Sequence, residues 1–167
     1  MGWTREVVVL ITAALIRWGE QILLVEQQGP DDLAPSWALP GGVARDGELL
    51  DESLRREITE ETGLALGAID RLAYVAQLDD PQTSAQSIAF VFETSHWTGE
   101  LRISDPDGLI RQTCWLPVEQ AIERLKALPW RRMREPLLAY LGGESKPGSV
   151  WLYRRRPDGN EELLVEA

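Results

Sequence analysis

Residues Gly42 to Leu64 read GVARDGELLDESLRREITEETGL, and the pattern in this stretch decides the fold. Leu50, Leu54 and Ile58 recur one turn apart, so the spacing predicts a helix over Leu49–Thr62. Gly63 is a natural stop, because glycine takes the left-handed conformation after a helix at little cost. Glu57, Glu60 and Glu61 stand at i, i+3 and i+4, which puts them on one helical face. Like charges so placed destabilise an isolated helix by about 0.2–0.5 kcal/mol per pair. A hard divalent cation with oxygen ligands would compensate. The plainer reading of the same three residues is a solvated acidic face.

The flanks favour the cation. Leu39–Pro40–Gly41–Gly42 reads as a strand end followed by a glycine turn, where backbone can approach a ligand closely. Arg56 adjoins Glu57, and Glu48 lies two turns earlier, placed to pair with Arg56 and fix the loop to the helix. Gly42, Glu48, Arg56, Glu57, Ile58, Glu60, Glu61, Gly63 and Leu64 fill every fixed position of G-x5-E-x7-R-E-U-x-E-E-x-G-U, with U a bulky apolar residue. The segment therefore resembles the Nudix box of the Nudix (MutT-like) hydrolases. Trp37-x-Leu39–Pro40–Gly41–Gly42 resembles the family's entry to the box, and Cys114 to Ala121 its late strand-to-helix joint, so the likeness spans roughly residues 6–141.

That resemblance implies an α+β fold, the Nudix α/β/α sandwich around a mixed β-sheet, with the box forming loop–helix–loop. It implies that Glu57, Glu60 and Glu61 bind Mg²⁺ (or Mn²⁺ in its place) with the carbonyl of Gly41. Arg56 would orient Glu57, and Glu48 would hold Arg56 or touch a water on the metal. The implied activity is Mg²⁺-dependent hydrolysis of the diphosphate link in a nucleoside diphosphate derivative, such as ADP-ribose or a nucleotide sugar. Pro81 lies about where some ADP-ribose hydrolases carry a proline. The alternatives are a (d)NTP pyrophosphohydrolase that clears damaged nucleotides, and a non-catalytic nucleotide-sensing module; the intact glutamates argue against the latter. A general base outside the box is expected among Glu100, Asp105 and Asp107, with Glu48 or Glu61 as the fallback. One departure from the family pattern is Leu49–Leu50, where Ser or Thr often caps the helix; a missing cap costs about 1 kcal/mol.

Composition is that of one soluble domain; the small-molecule nucleotide partner is what the resemblance implies, and so anionic a substrate would need metal ions or a local basic patch to approach this acidic chain. The chain has 167 residues, 44% hydrophobic and 26% charged, within the usual range for a single core. Its formal charge of −10 argues against duplex nucleic acid. The apolar run Val7–Ile16 falls short of the roughly 20 residues a bilayer requires, and neither a signal-peptide nor an acylation pattern surrounds it. No membrane association is expected. Cys114 is the only cysteine, which suits a cytoplasmic location, and the single His96 argues against His-rich zinc sites and a Ser-His-Asp triad. Residues 1–64 hold twelve acids against five bases, whereas 101–156 hold eleven bases against six acids. The first region suits cations and the second phosphates, unless both are solvated surface.

Outside the box, apolar runs predict strands at Val7–Ile16, Gln21–Val25, Trp37–Leu39, Leu72–Leu78, Ser87–Glu93 and Thr113–Leu116, with a weaker one at Glu100–Ile103. Val118–Leu125 and Met133–Leu141 read as helices. Trp37, Trp97, Trp115 and Trp130 are expected to pack, and Cys114 to be buried. A Nudix domain is expected over 1–143, with 144–167 as a C-terminal extension too short for a DNA-binding domain. Pro157–Asp158–Gly159–Asn160 marks a β-hairpin in it. Val150, Leu152, Leu163 and Val165 would give that hairpin one apolar face, paired outside the core, and make the chain a possible homodimer; the alternative is that the hairpin covers its own domain.

Overall fold

The computed structural model describes residues 7–167; the residues that bear on a leader or acylation signal lie partly outside that range. The chain opens with β1 (Val7–Trp18), β2 (Gln21–Gln27), β3 (Ser36–Ala38) and β4 (Gly41–Val43), followed by the box helix α1 (Leu50–Thr62), a short β5 (Ala65–Leu66) and the long β6 (Arg71–Asp80). Next come β7 (Ala85–Thr94), the two-residue β8 (Trp97–Thr98), β9 (Ile110–Pro117), α2 (Val118–Leu125), α3 (Arg131–Leu141), β10 (Ser149–Arg155) and β11 (Glu161–Glu166). The main sheet runs β11-β10-β6-β7-β1-β2-β3, with β4 on β1 and β9 on β2. It is mixed, because β1 pairs with β7 and β10 with β6 in parallel, while the other pairings are antiparallel.

Strand alternation divides the core between the two faces. Ala14, Ile16 and Leu23 pack under Leu54, Ile58 and Leu64 of the α1 side. Leu15, Ile22 and Leu24 turn the other way, toward Ala121 and Leu125 of α2 and Leu137 of α3. One helix on one face and two on the other make the α/β/α sandwich. Among the described residues no helix is long and apolar enough to cross a membrane.

Three features differ from the sequence pattern. Glu100–Ile103 is not a strand: the segment crosses the end of α1, where Arg102 and Ser104 donate their amides to the carbonyls of Thr62 and Glu60, both at 2.8 Å. It thereby satisfies carbonyls that a helix end otherwise leaves unpaired. Cys114 is half-buried rather than buried.

The C-terminal strands also differ. They form a hairpin, but β10 joins β6 of the main sheet, and Trp151 and Tyr153 enter the core at 4% and 2% exposure. The expected single apolar face is split by a bulge between Leu152 and Tyr153, which sets Leu163 opposite Tyr153 and Val165 opposite Leu152. Leu163 packs against the core, while Val165 stays exposed. The apolar face on which a homodimer was expected is therefore divided.

Candidate active site

The start of α1 shows how local chemistry replaces the missing cap. Leu49 offers no side-chain acceptor, yet its amide donates to Glu52 at 2.9 Å, half of a capping box. Asp51 and Glu52 also place negative charge at the positive end of the helix dipole. At the other end, Gly63 has φ +79, and a Cβ there would lie 2.7 Å from backbone atoms of Glu100 and Arg102. Glycine serves both the left-handed turn and the close crossing of the next segment.

Arg56 gathers the acids of the box. Its Nε and Nη2 donate to Glu48 at 2.7 and 3.0 Å, its Nη1 to Glu57 at 2.6 Å and to Glu60 at 3.3 Å, and Nη2 also reaches the carbonyl of Val43. This fork ties the loop to the helix and fixes the orientation of Glu57. Glu48 also accepts the Arg45 amide at 2.8 Å. The Arg56 guanidinium, followed by that amide, holds the Glu48 carboxyl down at about 2.

Two adjacent glycines make room for the acids. A Cβ on Gly42 would sit 2.6 Å from the Glu57 carboxyl carbon. A Cβ on Gly41 would meet the Thr12 carbonyl at 2.1 Å. The Gly41 amide donates to Glu61 at 2.9 Å. Glu61 is buried, at 7% exposure, and burial pushes its carboxyl up to about 8, against the Gly41 amide and with the charges of Glu57, Asp105 and Glu60 adding to the rise. Burial raises Glu57 as well, despite Arg56. Among the described residues no three His, Cys, Asp or Glu side chains converge closely enough, as they stand, to hold a metal ion. The donor set nonetheless fits a hard divalent cation: carboxylate oxygens from one helical turn, partly desolvated, their mutual repulsion only partly met by Arg56 and Arg45.

The later acids are arranged differently. Asp105 accepts amides of Asp107, Leu109 and Ile110 at 2.7–3.1 Å, so its carboxylate holds the turn. Its charge still reaches Glu61. Glu100 lines a shallow groove with Thr59, Gly63, Arg102 and Ser104, and Asp107 is exposed. The C-terminal arginines are largely committed to neighbours: Arg131 to Glu135, Arg132 to Glu161, Arg154 to Asp79, Arg155 to Asp80 and Arg156 to Glu162. Charge counting by region does not reveal such pairing.

Sequence reasoning did not find the cleft beside this cluster. Ile11, Ala13, Leu39, Ala89, Val91, Met133 and Leu137 line an apolar opening between the sheet and the start of α3, a narrow space of about 80 Å³ that opens to solvent. Leu39 is in its wall, and two and three residues later Gly41 and Gly42 touch Glu61 and Glu57. The cleft and the carboxylates thus flank one short segment of backbone. Its lining comes from five separate parts of the chain, so no local motif announces it.

The NUDIX domain family model matches residues 6–140, and the chain belongs to that family. Its curated relatives include a putative 8-oxo-dGTP diphosphatase 2 of Mycobacterium tuberculosis, 29% identical over 65% of this chain and 72% of that one. The ADP-ribose pyrophosphatase of Methanocaldococcus jannaschii is 34% identical over 54% of this chain and 53% of its own length. Nudix hydrolase 6 of Arabidopsis thaliana is 29% identical over 59% of this chain, which spans only 33% of that longer protein. Among solved structures, a MutT NUDIX hydrolase from Burkholderia pseudomallei superposes with a TM-score of 0.57 at 28% identity, over 67% of this chain and 84% of that one.

Proposed function

We propose that the chain is a Mg²⁺-dependent hydrolase that cleaves the diphosphate link of a nucleoside diphosphate derivative carrying a sugar or similar group. The observation that carries this reading is the shared wall: the apolar cleft ends at Leu39, and the carboxylates of Glu57 and Glu61 begin at Gly42 and Gly41. A nucleoside base fits an apolar cleft with few polar groups, and its diphosphate then lies beside the acids. Glu57, Glu60 and Glu61, with Gly41, would hold the cation. A divalent cation held there would supply neutralisation of phosphate oxygens and a lowered pKa for a water.

The chain's own residues supply positioning. Arg56 keeps Glu57 in place, and Glu48 keeps Arg56. Held at about 2, Glu48 is too weak a base to take a proton at neutral pH. Glu61 and the loop acids Glu100, Asp105 and Asp107 remain the candidates for that proton.

Relatives named for ADP-ribose and for 8-oxo-dGTP support different substrates. A diphosphate derivative is favoured over a triphosphate because the Gln27–Ser36 loop has no basic residue and carries Asp31 and Asp32. The internal pairing of the C-terminal arginines also leaves less positive charge for a third phosphate. The test is kcat/KM with Mg²⁺ across ADP-ribose, nucleotide sugars, dinucleoside polyphosphates and ordinary and oxidised dNTPs. A dNTP that exceeds every diphosphate derivative tenfold or more would favour the triphosphate reading instead, and no turnover of any would refute the hydrolase.

A further inference from the structure

Among the described residues, Arg132 is the one charged side chain lining the apolar cleft, and the C-terminal hairpin holds it there. Its Nη1 donates to Glu161, the first residue of β11, whose side chain is only 7% exposed. The Arg132 amide donates to the same carboxylate at 3.0 Å. Glu161 thus also caps the start of α3, where Trp130 offers no side-chain acceptor. Arg131 adds a bond from its Nη1 to the Glu161 carbonyl at 2.7 Å. Arg155, itself paired with Asp80, lies 3.3 Å from Glu161 on its other side. Three guanidinium groups, Arg131, Arg132 and Arg155, therefore gather at Glu161 and face three carboxylates, Glu161, Asp80 and Glu135, so the local charge sums to zero.

A guanidinium neutralised in this way keeps N–H donors but attracts a full negative charge weakly. Among the described residues, the Nε and Nη2 of Arg132 have no protein acceptor. In an apolar cleft such donors suit a neutral carbonyl oxygen better than a phosphate, and guanidinium pairs well with the acceptor edge of an oxo base. We propose that Arg132 reads a ring carbonyl of the base, selecting 6-oxopurines and 4-oxopyrimidines over adenine and cytosine, and that Glu161 is its positioning residue. The inference rests on the cleft as the base site proposed above. An amino group at the same ring position would face donors with a donor, leaving both unpaired.

The test is calorimetric binding of GDP, UDP and ADP to the full chain, without turnover, so that it reads the cleft whether or not any substrate is hydrolysed. The wild type is expected to bind GDP and UDP at least tenfold tighter than ADP. Arg132→Gln should bring the GDP:ADP ratio to within threefold of unity, Arg132→Lys should restore part of it, and Glu161→Gln should reduce it partway. In the Arg132→Gln background, Glu161→Gln should change the ratio no further. A purely structural role for Glu161 would weaken all three ligands alike and leave the ratio intact, and that result overturns the positioning claim. A wild type that prefers ADP, or an unchanged ratio in Arg132→Gln, overturns the carbonyl reading. Hydrolysis without base discrimination would sink this inference while leaving the hydrolase standing; base discrimination without hydrolysis would do the reverse.

Discussion

Gly41 and Gly42 are adjacent and have the same side chain, but substitution should give opposite results. At Gly42 an added Cβ meets the end of the Glu57 side chain, which can swing away. Gly42→Ala should therefore fold with a melting temperature near the wild type's, yet lose about a hundredfold in kcat, since misplacement by about 1 Å can cost that much. At Gly41 the obstruction is the backbone of β1, which cannot yield, so Gly41→Ala should fail to fold or melt far lower. Thermal melts and turnover of both variants decide the point; equal stability of the two would refute the packing account.

Asp70 offers a test in acid. The Ser95 amide, at 2.8 Å, is the main cause that draws its carboxyl below the usual range, with the Ser95 hydroxyl and His96 assisting. A lowered folded pKa stabilises the fold above the unfolded value of about 3.9, and that contribution is lost as pH falls through the folded value. Asp70→Asn should lower the unfolding midpoint at pH 7, and the deficit should shrink as pH falls below the ordinary carboxylate range. A deficit that stays the same size as pH falls would contradict the ionic origin.

At the scale of elements, the helix was the most legible part of the sequence. Leu54 and Ile58 specify its buried face, and Gly63 its end, because both signals are local. The Glu48–Arg56 pairing was legible for the same reason. Strand partners were not. Nothing near Trp151 in sequence says that β10 will lie beside β6, since parallel pairing joins segments more than seventy residues apart. Nor does alternation reveal the bulge that separates Leu163 from Val165. The hairpin should in consequence be required for folding. A chain ending at Gly143 uncovers the β6 edge and removes Trp151 and Tyr153 from the core; losing one such aromatic alone costs about 3–5 kcal/mol. Urea unfolding of the shortened chain should show no cooperative transition near the wild-type midpoint. A soluble product with an unchanged transition would return the hairpin to the role of an appendage.

Across the whole molecule, the site lies where the sandwich brings a local motif against a cleft assembled from distant segments. The acids were readable because they share one helical turn. The cleft, and Arg132 within it, were not, because they depend on how α3, β1, β6 and β7 converge. The regional charge contrast was visible in sequence, but the folded chain uses much of its positive side for internal ion pairs. What remains unmet is the repulsion among Glu57, Glu60 and Glu61, which the proposed divalent cation would relieve. The most direct measurement is a Mg²⁺ titration of turnover, on the best substrate of the panel, for the wild type, Glu60→Gln and Glu61→Gln. Wild-type turnover should require Mg²⁺ and vanish with chelator, and each variant should fall by about a hundredfold or more at saturating Mg²⁺. Near-normal Mg²⁺-dependent turnover in either variant would contradict the proposed metal site.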